Sequence, residues 1–395
     1  MVKIDRDLRL ADAMQEDPAW LKRLTGVQDP GSAREVAINA LQQLSDENAL
    51  SPSGFEAFVI IKAEHEGLPI RQQIATATRG QPVSEFTETS ERLAQHRGTW
   101  WQAKLVEEWE KSRRPEHHWQ EPFGQDSIKL RARAIAVRSV VWLIGLVGLF
   151  FLPGTLVTLK RGIHAKPHGY GGAWPLPLGL TVFLVVTLAW IGFTLSLEVG
   201  ISILPGIHPT LAIFLDSSAR LLPSLIAIGL LFRRPSHAVR VIGLNRPFKT
   251  QTILGVFALL TIADQLLRWS FAGSTPPTPG GGLSAGEAGI WGLAFAVISA
   301  CLLAPLAEEL LYRGVLFRAC WNRLGVIPAA ALSSAIFAAL HFYDGYGLAS
   351  VGLFGFSAAL LYAATGSLGA TIALHLLYNS AIKVPEWLIY HGPLG

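Results

Sequence analysis

The sequence predicts an all-α protein: a polytopic membrane helical bundle of about eight transmembrane helices, with a soluble helical domain at its N-terminus. Three observations carry that reading. Half of the 395 residues (50%) are hydrophobic and 16% are charged, whereas soluble chains are about 25% charged. The imbalance is regional, since residues 1–131 are rich in Glu, Gln, Lys and Arg while 132–395 consists mostly of long apolar runs. Those runs have the length, roughly 17–25 residues, that a helix needs to cross a bilayer.

The net charge of +4 is small. Its basic residues sit beside apolar runs, at Lys129, Arg131, Arg133 and Arg138 and again at Arg233, Arg234, Arg240, Arg246 and Lys249. That distribution fits contact with the lipid surface and argues against a nucleic-acid partner. Cys301 and Cys320, the two cysteines, exclude a disulfide framework and a cysteine-based metal site. Met1–Leu10 has no apolar core of the signal-peptide kind, so the N-terminal domain is expected to stay on the cytoplasmic side of the membrane.

Along residues 1–131 the patterning is helical. Ser32-Ala-Arg-Glu35 reads as a capping box ahead of Ala37, Leu41 and Leu44 on one face. Further helices are expected at 54–63 and 90–111. The second carries Trp100, Trp101, Leu105 and Trp109, which read as core or interface packing, with a protein-partner groove as the minor alternative. Residues 112–128, with Pro115, Pro122 and Gly124, read as a linker. No catalytic motif and no internal repeat stand out here.

Membrane helices are expected near 137–157, 176–197, 209–232, 251–267, 290–312, 327–342, 348–365 and 370–389. Residues 275–282 (Thr-Pro-Pro-Thr-Pro-Gly-Gly-Gly) form a loop between the fourth and fifth. Asp216 and Arg220 are spaced i,i+4 and neutralise each other, and Asp264 reads as interfacial. A cytoplasmic basic loop at 233–249 and a cytoplasmic N-terminal domain require an even number of crossings between them, whereas three are counted. Either one early segment is re-entrant or amphipathic, which is the expectation, or the N-terminal domain lies outside.

The informative part is the C-terminal half. Glu308 and Glu309 interrupt an apolar run, at an insertion cost of roughly 2.5–3.5 kcal/mol per charge at bilayer depth. Glu309 and Arg313 stand i,i+4 and can pair on one helix face. Glu308, rotated about 100° away, lacks that partner, which assigns one glutamate to structure and leaves the other for chemistry. Further on come Phe337-x-x-x-His341 and His375-x-x-x-Asn379, the latter again sharing a helix face. Glutamate, histidine, arginine and asparagine are the types that serve as base, orienting group and oxyanion donor. A single intramembrane histidine is ordinarily helix–helix glue; the convergence of all these groups late in the chain argues for a shared site.

In that order, Glu308-Glu309-x-x-x-Arg313, Phe337-x-x-x-His341 and His375-x-x-x-Asn379, flanked by Tyr312 and Gly314, resemble the CPBP intramembrane proteases, the family of the type II CAAX prenyl endopeptidase and the bacterial Abi or bacteriocin-immunity proteins. The resemblance covers about 250–390 and leaves the N-terminal domain outside. It implies an intramembrane endopeptidase in which Glu308, helped by His341, activates a water. It also implies that His375 and Asn379 hold the oxyanion while Glu309 and Arg313 support the helix. The implied substrate is a membrane-embedded or lipidated protein or peptide. A metal-independent reaction is expected, because His-Glu-x-x-His is absent and a full set of first ligands would leave no free base; zinc on Glu308, His341 and His375 is the alternative. No nucleophilic serine motif is present, and Tyr343-Asp344 lacks the partner of an aspartyl pair, so Asp344 is read as a cap. The competing functions are a proton-coupled transporter, which the absence of internal symmetry disfavours, and a non-catalytic scaffold or immunity-type protein.

Overall fold

The computed structural model describes residues 1–77, 98–113, 124–166, 174–203, 208–232, 234–271, 289–341 and 343–391, and every regular element among them is helical. The chain divides into two compact units, one of Met1–Ser139 with Leu388–Gly395, the other of Val140–Trp387.

The first unit contains α1 (Val2–Ala13), α2 (Ala19–Thr25), α3 (Pro30–Asp46), α4 (Pro52–Glu66), α5 (Ile70–Ala77) and α6 (Trp100–Arg113). Helix α3 starts two residues before the expected cap: Asp29 precedes it and Pro30 takes the first helical position, where proline's fixed φ and missing N–H cost nothing. Ser32 and Glu35 therefore lie inside the helix. Its buried row is Ala33, Ala37 and Leu41, while Leu44 in the last turn is 38% exposed. Helix α4 is capped by Ser51, whose hydroxyl accepts from Gly54 N at 3.1 Å. Trp100, Trp101 and Leu105 are buried in the core of this unit with Leu41, Ile60 and Ile61, as packing rather than as an open groove. The Trp100 indole donates to Asp12 at 2.8 Å. Residues 90–97 and 114–123 lie outside the described residues, but Gly124–Ile128, expected as linker, is already helical as the start of α7 (Gly124–Phe150).

The second unit follows with α8 (Leu152–Ile163), α9 (Leu176–Ile203), α10 (Pro209–Ala219), α11 (Leu222–Leu231), α12 (Pro235–Val241) and α13 (Thr250–Ser270). It closes with α14 (Ile290–Leu324), α15 (Val326–Ala339), α16 (Gly345–Thr365) and α17 (Leu368–His391). Two expected spans are broken by proline. The first ends at Phe150 because Pro153 opens α8. The third divides at Arg220–Leu221 because Pro223 opens α11, each ring removing a helical hydrogen bond. Among the described residues, five helices are long and apolar enough to cross a membrane: Asp126–Phe150, Leu176–Leu197, Thr250–Arg268, Ile290–Leu324 and Gly345–Thr365. Two shorter apolar helices, Ser217–Leu231 and Val326–Ala339, accompany them, where the sequence reading expects about eight spans. The loop at 275–282 and the Asp216 side chain lie outside the described residues.

Asp344 caps α16, accepting from Gly347 N at 2.8 Å. The core of this unit gathers Trp174, Phe183, Tyr312, Phe317, Phe337, Phe354 and Tyr362, so α14, α15 and α16 pack around aromatic rings. Two of those rings, Phe337 and Phe354, also border the polar cluster described next.

Candidate active site

Helix α14 carries both glutamates and is not a regular α-helix. It contains two wider, π-helical stretches, Ser299–Leu303 and Glu309–Phe317, on either side of Pro305. π-Helical turns inside α-helices are frequent at functional sites because they re-aim side chains.

The two adjacent carboxylates have unlike surroundings. Glu309 is 0% exposed. Its Oε1 accepts from Arg313 Nη1 at 2.9 Å and from His375 Nδ1 at 2.8 Å. Its other oxygen is buried without a hydrogen-bond partner among the described residues. Arg313 is equally buried and extends to α16, donating from Nη2 to Gly355 O at 3.1 Å. A side chain at Gly355 would bring its Cβ to 3.2 Å from Arg313 Nη2, Phe337 and Ser334, so the absence of one is what lets the guanidinium reach the backbone. The rings of Phe337 and Phe354 both lie beside it, with centroids 4.6 and 5.7 Å from the guanidinium carbon, an arrangement favourable to a desolvated cation.

Glu308 is the more open of the two, its side chain 26% exposed, and it meets His375 Nε2 at 3.8 Å. That is ion-pair range but too long for a hydrogen bond. His375 therefore stands between the two glutamates. Its contact with a buried, arginine-paired carboxylate places a proton on Nδ1, so Nε2 is the atom turned to Glu308.

His341 is drawn in through Phe337. Its Nδ1 lies 2.7 Å from Phe337 O, which makes Nδ1–H the donor and leaves Nε2 as an acceptor. The Phe337 ring is 4.6 Å from the His341 ring and 6.3 Å from the His375 ring. His375, rather than His341, is the histidine within ion-pair range of Glu308 among the described residues. Asn379, one helical turn after His375, donates from Nδ2 to Ala300 O at 2.8 Å.

Behind these groups lies a second polar cluster that the sequence reading does not assemble. Asp264, expected at the interface, accepts from Tyr346 Oη at 2.6 Å and from Arg268 Nε at 2.9 Å. Ser350 Oγ reaches Asp264 at 3.3 Å and Tyr378 Oη at 3.1 Å. Tyr378 stacks on Phe354, ring centroids 4.9 Å apart, and Phe354 packs 4.5 Å from His375. Tyr378 stands inside the His375-x-x-x-Asn379 motif, the one local signal for this cluster; the other members meet it only across helices.

No three His, Cys, Asp or Glu side chains among the described residues converge as metal ligands. Glu308 lies 3.8 Å from Nε2 of His375, whose Nδ1 is held by Glu309.

Residues 290–381 match the family model described as Type II CAAX prenyl endopeptidase Rce1-like. The match contains Glu308, Glu309, Arg313, His341, His375 and Asn379 and supports, at the level of family, a CAAX-protease-like intramembrane peptidase, a hydrolase. No curated protein and no solved structure matches the chain. With its long apolar helices, the chain is an integral membrane protein.

Proposed function

We propose that this protein is an intramembrane endopeptidase that cleaves membrane-embedded or lipidated proteins with a water activated by Glu308. The observation that carries the reading is the division of labour between neighbouring carboxylates. Glu309 is fully buried and engaged through one oxygen by Arg313 and His375, while Glu308 keeps a partly open carboxylate beside one histidine edge.

In the proposed reaction a water sits between Glu308 and His341, whose Nε2 is left as an acceptor by the Nδ1 contact to Phe337 O. Glu308 takes a proton from the water as the oxygen attacks the scissile carbonyl carbon. The developing oxyanion accepts from the Nε2 edge of His375 and from the Asn379 amide; each such donor is worth roughly 3–4 kcal/mol. Collapse of the tetrahedral intermediate breaks the C–N bond, and Glu308 passes its proton to the departing amine. The residues supply this chemistry without a metal. The N-terminal unit is placed on the cytoplasmic side, where it is open to a protein partner.

The test is N-terminal peptide profiling of membranes from cells expressing the wild type or Glu308→Gln at equal abundance, with and without chelator. New cleaved termini that depend on Glu308 and persist in chelator are expected. Identical profiles from two folded, inserted proteins would overturn the enzymatic reading in favour of a scaffold.

A further inference from the structure

The π-helical stretch before Pro305 has a chemical consequence that falls on a single carbonyl. In Ser299–Leu303 the hydrogen bonds run one residue longer than in an α-helix, and Ala304 N–H accordingly donates to Ser299 O. In the same register the next carbonyl, Ala300 O, would receive the N–H of residue 305. Residue 305 is proline and has none. Ala304 is already engaged, so α14 leaves Ala300 O without an intrahelical donor. In a membrane helix an unmet backbone carbonyl costs several kcal/mol, and here the donor comes from another helix: Asn379 Nδ2 at 2.8 Å. A carbonyl can only accept, so the amide nitrogen, not the amide oxygen, faces it.

We propose that Pro305 is a positioning residue for Asn379. By keeping Ala300 O open it anchors one N–H of the side-chain amide and thereby fixes the direction of the second. His375 is held by the same device one turn earlier: Glu309 Oε1 on α14 takes Nδ1 at 2.8 Å and fixes the direction of Nε2. His375 and Asn379 stand i,i+4 on one face of α17. Two acceptors on α14, a carboxylate and a proline-freed carbonyl, thus orient two donors on α17 toward one place. The catalytic consequence rests on the oxyanion role proposed above for Asn379; the anchoring itself does not.

The test is a double-mutant cycle on the full-length protein with Pro305→Ala, Asn379→Ala and both. Alanine at 305 restores an N–H. Ala300 O then receives either that N–H or, if the stretch relaxes to α, the N–H of Ala304; in both registers Asn379 shares its acceptor and its anchor weakens. With a quenched fluorescent prenylated CAAX peptide as probe, Asn379→Ala is expected to lower kcat by about 10²–10³-fold. Pro305→Ala should lower it on the order of 10²-fold with KM nearly unchanged, and the double variant should match Asn379→Ala alone. Thermal unfolding in a Glu308→Gln background reads the anchor without turnover: Asn379→Ala should lower Tm more when residue 305 is proline than when residue 305 is alanine. Independent, multiplying kcat losses, or equal Tm losses in both backgrounds, would overturn the proposal. A coupled Tm cycle with unchanged kcat in Asn379→Ala would keep the anchor and remove the oxyanion role.

Discussion

In the N-terminal unit, acidic side chains meet bases at positions that water still reaches. Asp17 takes a bidentate pair from Arg131 at 2.7 Å, the two side chains 15% and 36% exposed, and Asp12 lies 3.5 and 3.7 Å from Lys104 and Arg34. In the membrane unit the strongest pair, Glu309 with Arg313, is 0% and 1% exposed, and each partner has a further contact on another helix. The chemistry of the pairs is the same; the dielectric around them is not. A surface pair is worth about 0–1 kcal/mol because both ions are well solvated without each other. A buried pair adds little net stability against an apolar alternative, yet losing one member strands the other in a medium that cannot solvate it. The site is thus built on a pair whose value lies in holding α14, α16 and α17 in one arrangement.

The largest expected effect tests that contrast directly. Glu309→Ala or Arg313→Ala should destabilise the protein by about 3–5 kcal/mol, read as a fall in Tm in detergent or nanodiscs, with activity lost as well. Glu308→Gln should abolish proteolysis while leaving Tm near that of the wild type, since its partly open carboxylate stays beyond hydrogen-bond distance of His375. If Glu308→Gln unfolds the protein and Glu309→Ala does not, the two roles are reversed. Gly355→Ala comes next: the added methyl meets Arg313 Nη2, Phe337 and Ser334 at 3.2 Å, and overpacking of this kind costs about 1–3 kcal/mol. A neutral Gly355→Ala would show that the arginine clamp can yield.

Tyr346→Phe sharpens the comparison at the second cluster. It removes the hydroxyl donor to Asp264, a hydrogen bond to a charged group worth roughly 1.5–3 kcal/mol. Thermal unfolding should show that loss while prenyl-peptide cleavage falls by less than with any change to Glu308, because the path from Asp264 to His375 runs through Ser350, Tyr378 and Phe354.

The smallest effect is expected in the N-terminal unit. Arg131→Ala should cost about 0.2–1 kcal/mol. The hydrogen bond from Arg131 holds the Asp17 carboxyl below its usual range. A carboxyl lowered on folding contributes stability above its unfolded pKa of about 3.9, and that contribution is lost as pH falls through the lower folded value. The Tm difference between wild type and Arg131→Ala should therefore be full at pH 7 and vanish in acid below about pH 4. A difference that grows on acidification would exclude the pairing.

Much of the membrane unit could be read from the chain because its rules are local. Length and apolarity mark α9, α13, α14 and α16, and helical spacing alone pairs Glu309 with Arg313 and puts His375 and Asn379 on one face. Proline set the limits of that reading: Pro153 and Pro223 end helices that hydropathy would continue, and Pro30 starts α3 ahead of the serine that looked like its cap.

What the sequence by itself determined is the all-helical architecture, the distinction between a paired and an unpaired glutamate, and the set of residue types available for hydrolysis. Each follows from periodicity within one helix and from the energetic cost of charge in lipid. What only the tertiary structure decided is which atoms meet: His375 between two carboxylates, Arg313 on Gly355 O, Asp264 with Tyr346 and Ser350, and Asn379 on the carbonyl that Pro305 leaves open. These contacts join residues 42 to 86 positions apart. At such separations the partner is chosen by helix packing and by the requirement that every polar group in the bilayer be satisfied, not by any spacing along the chain.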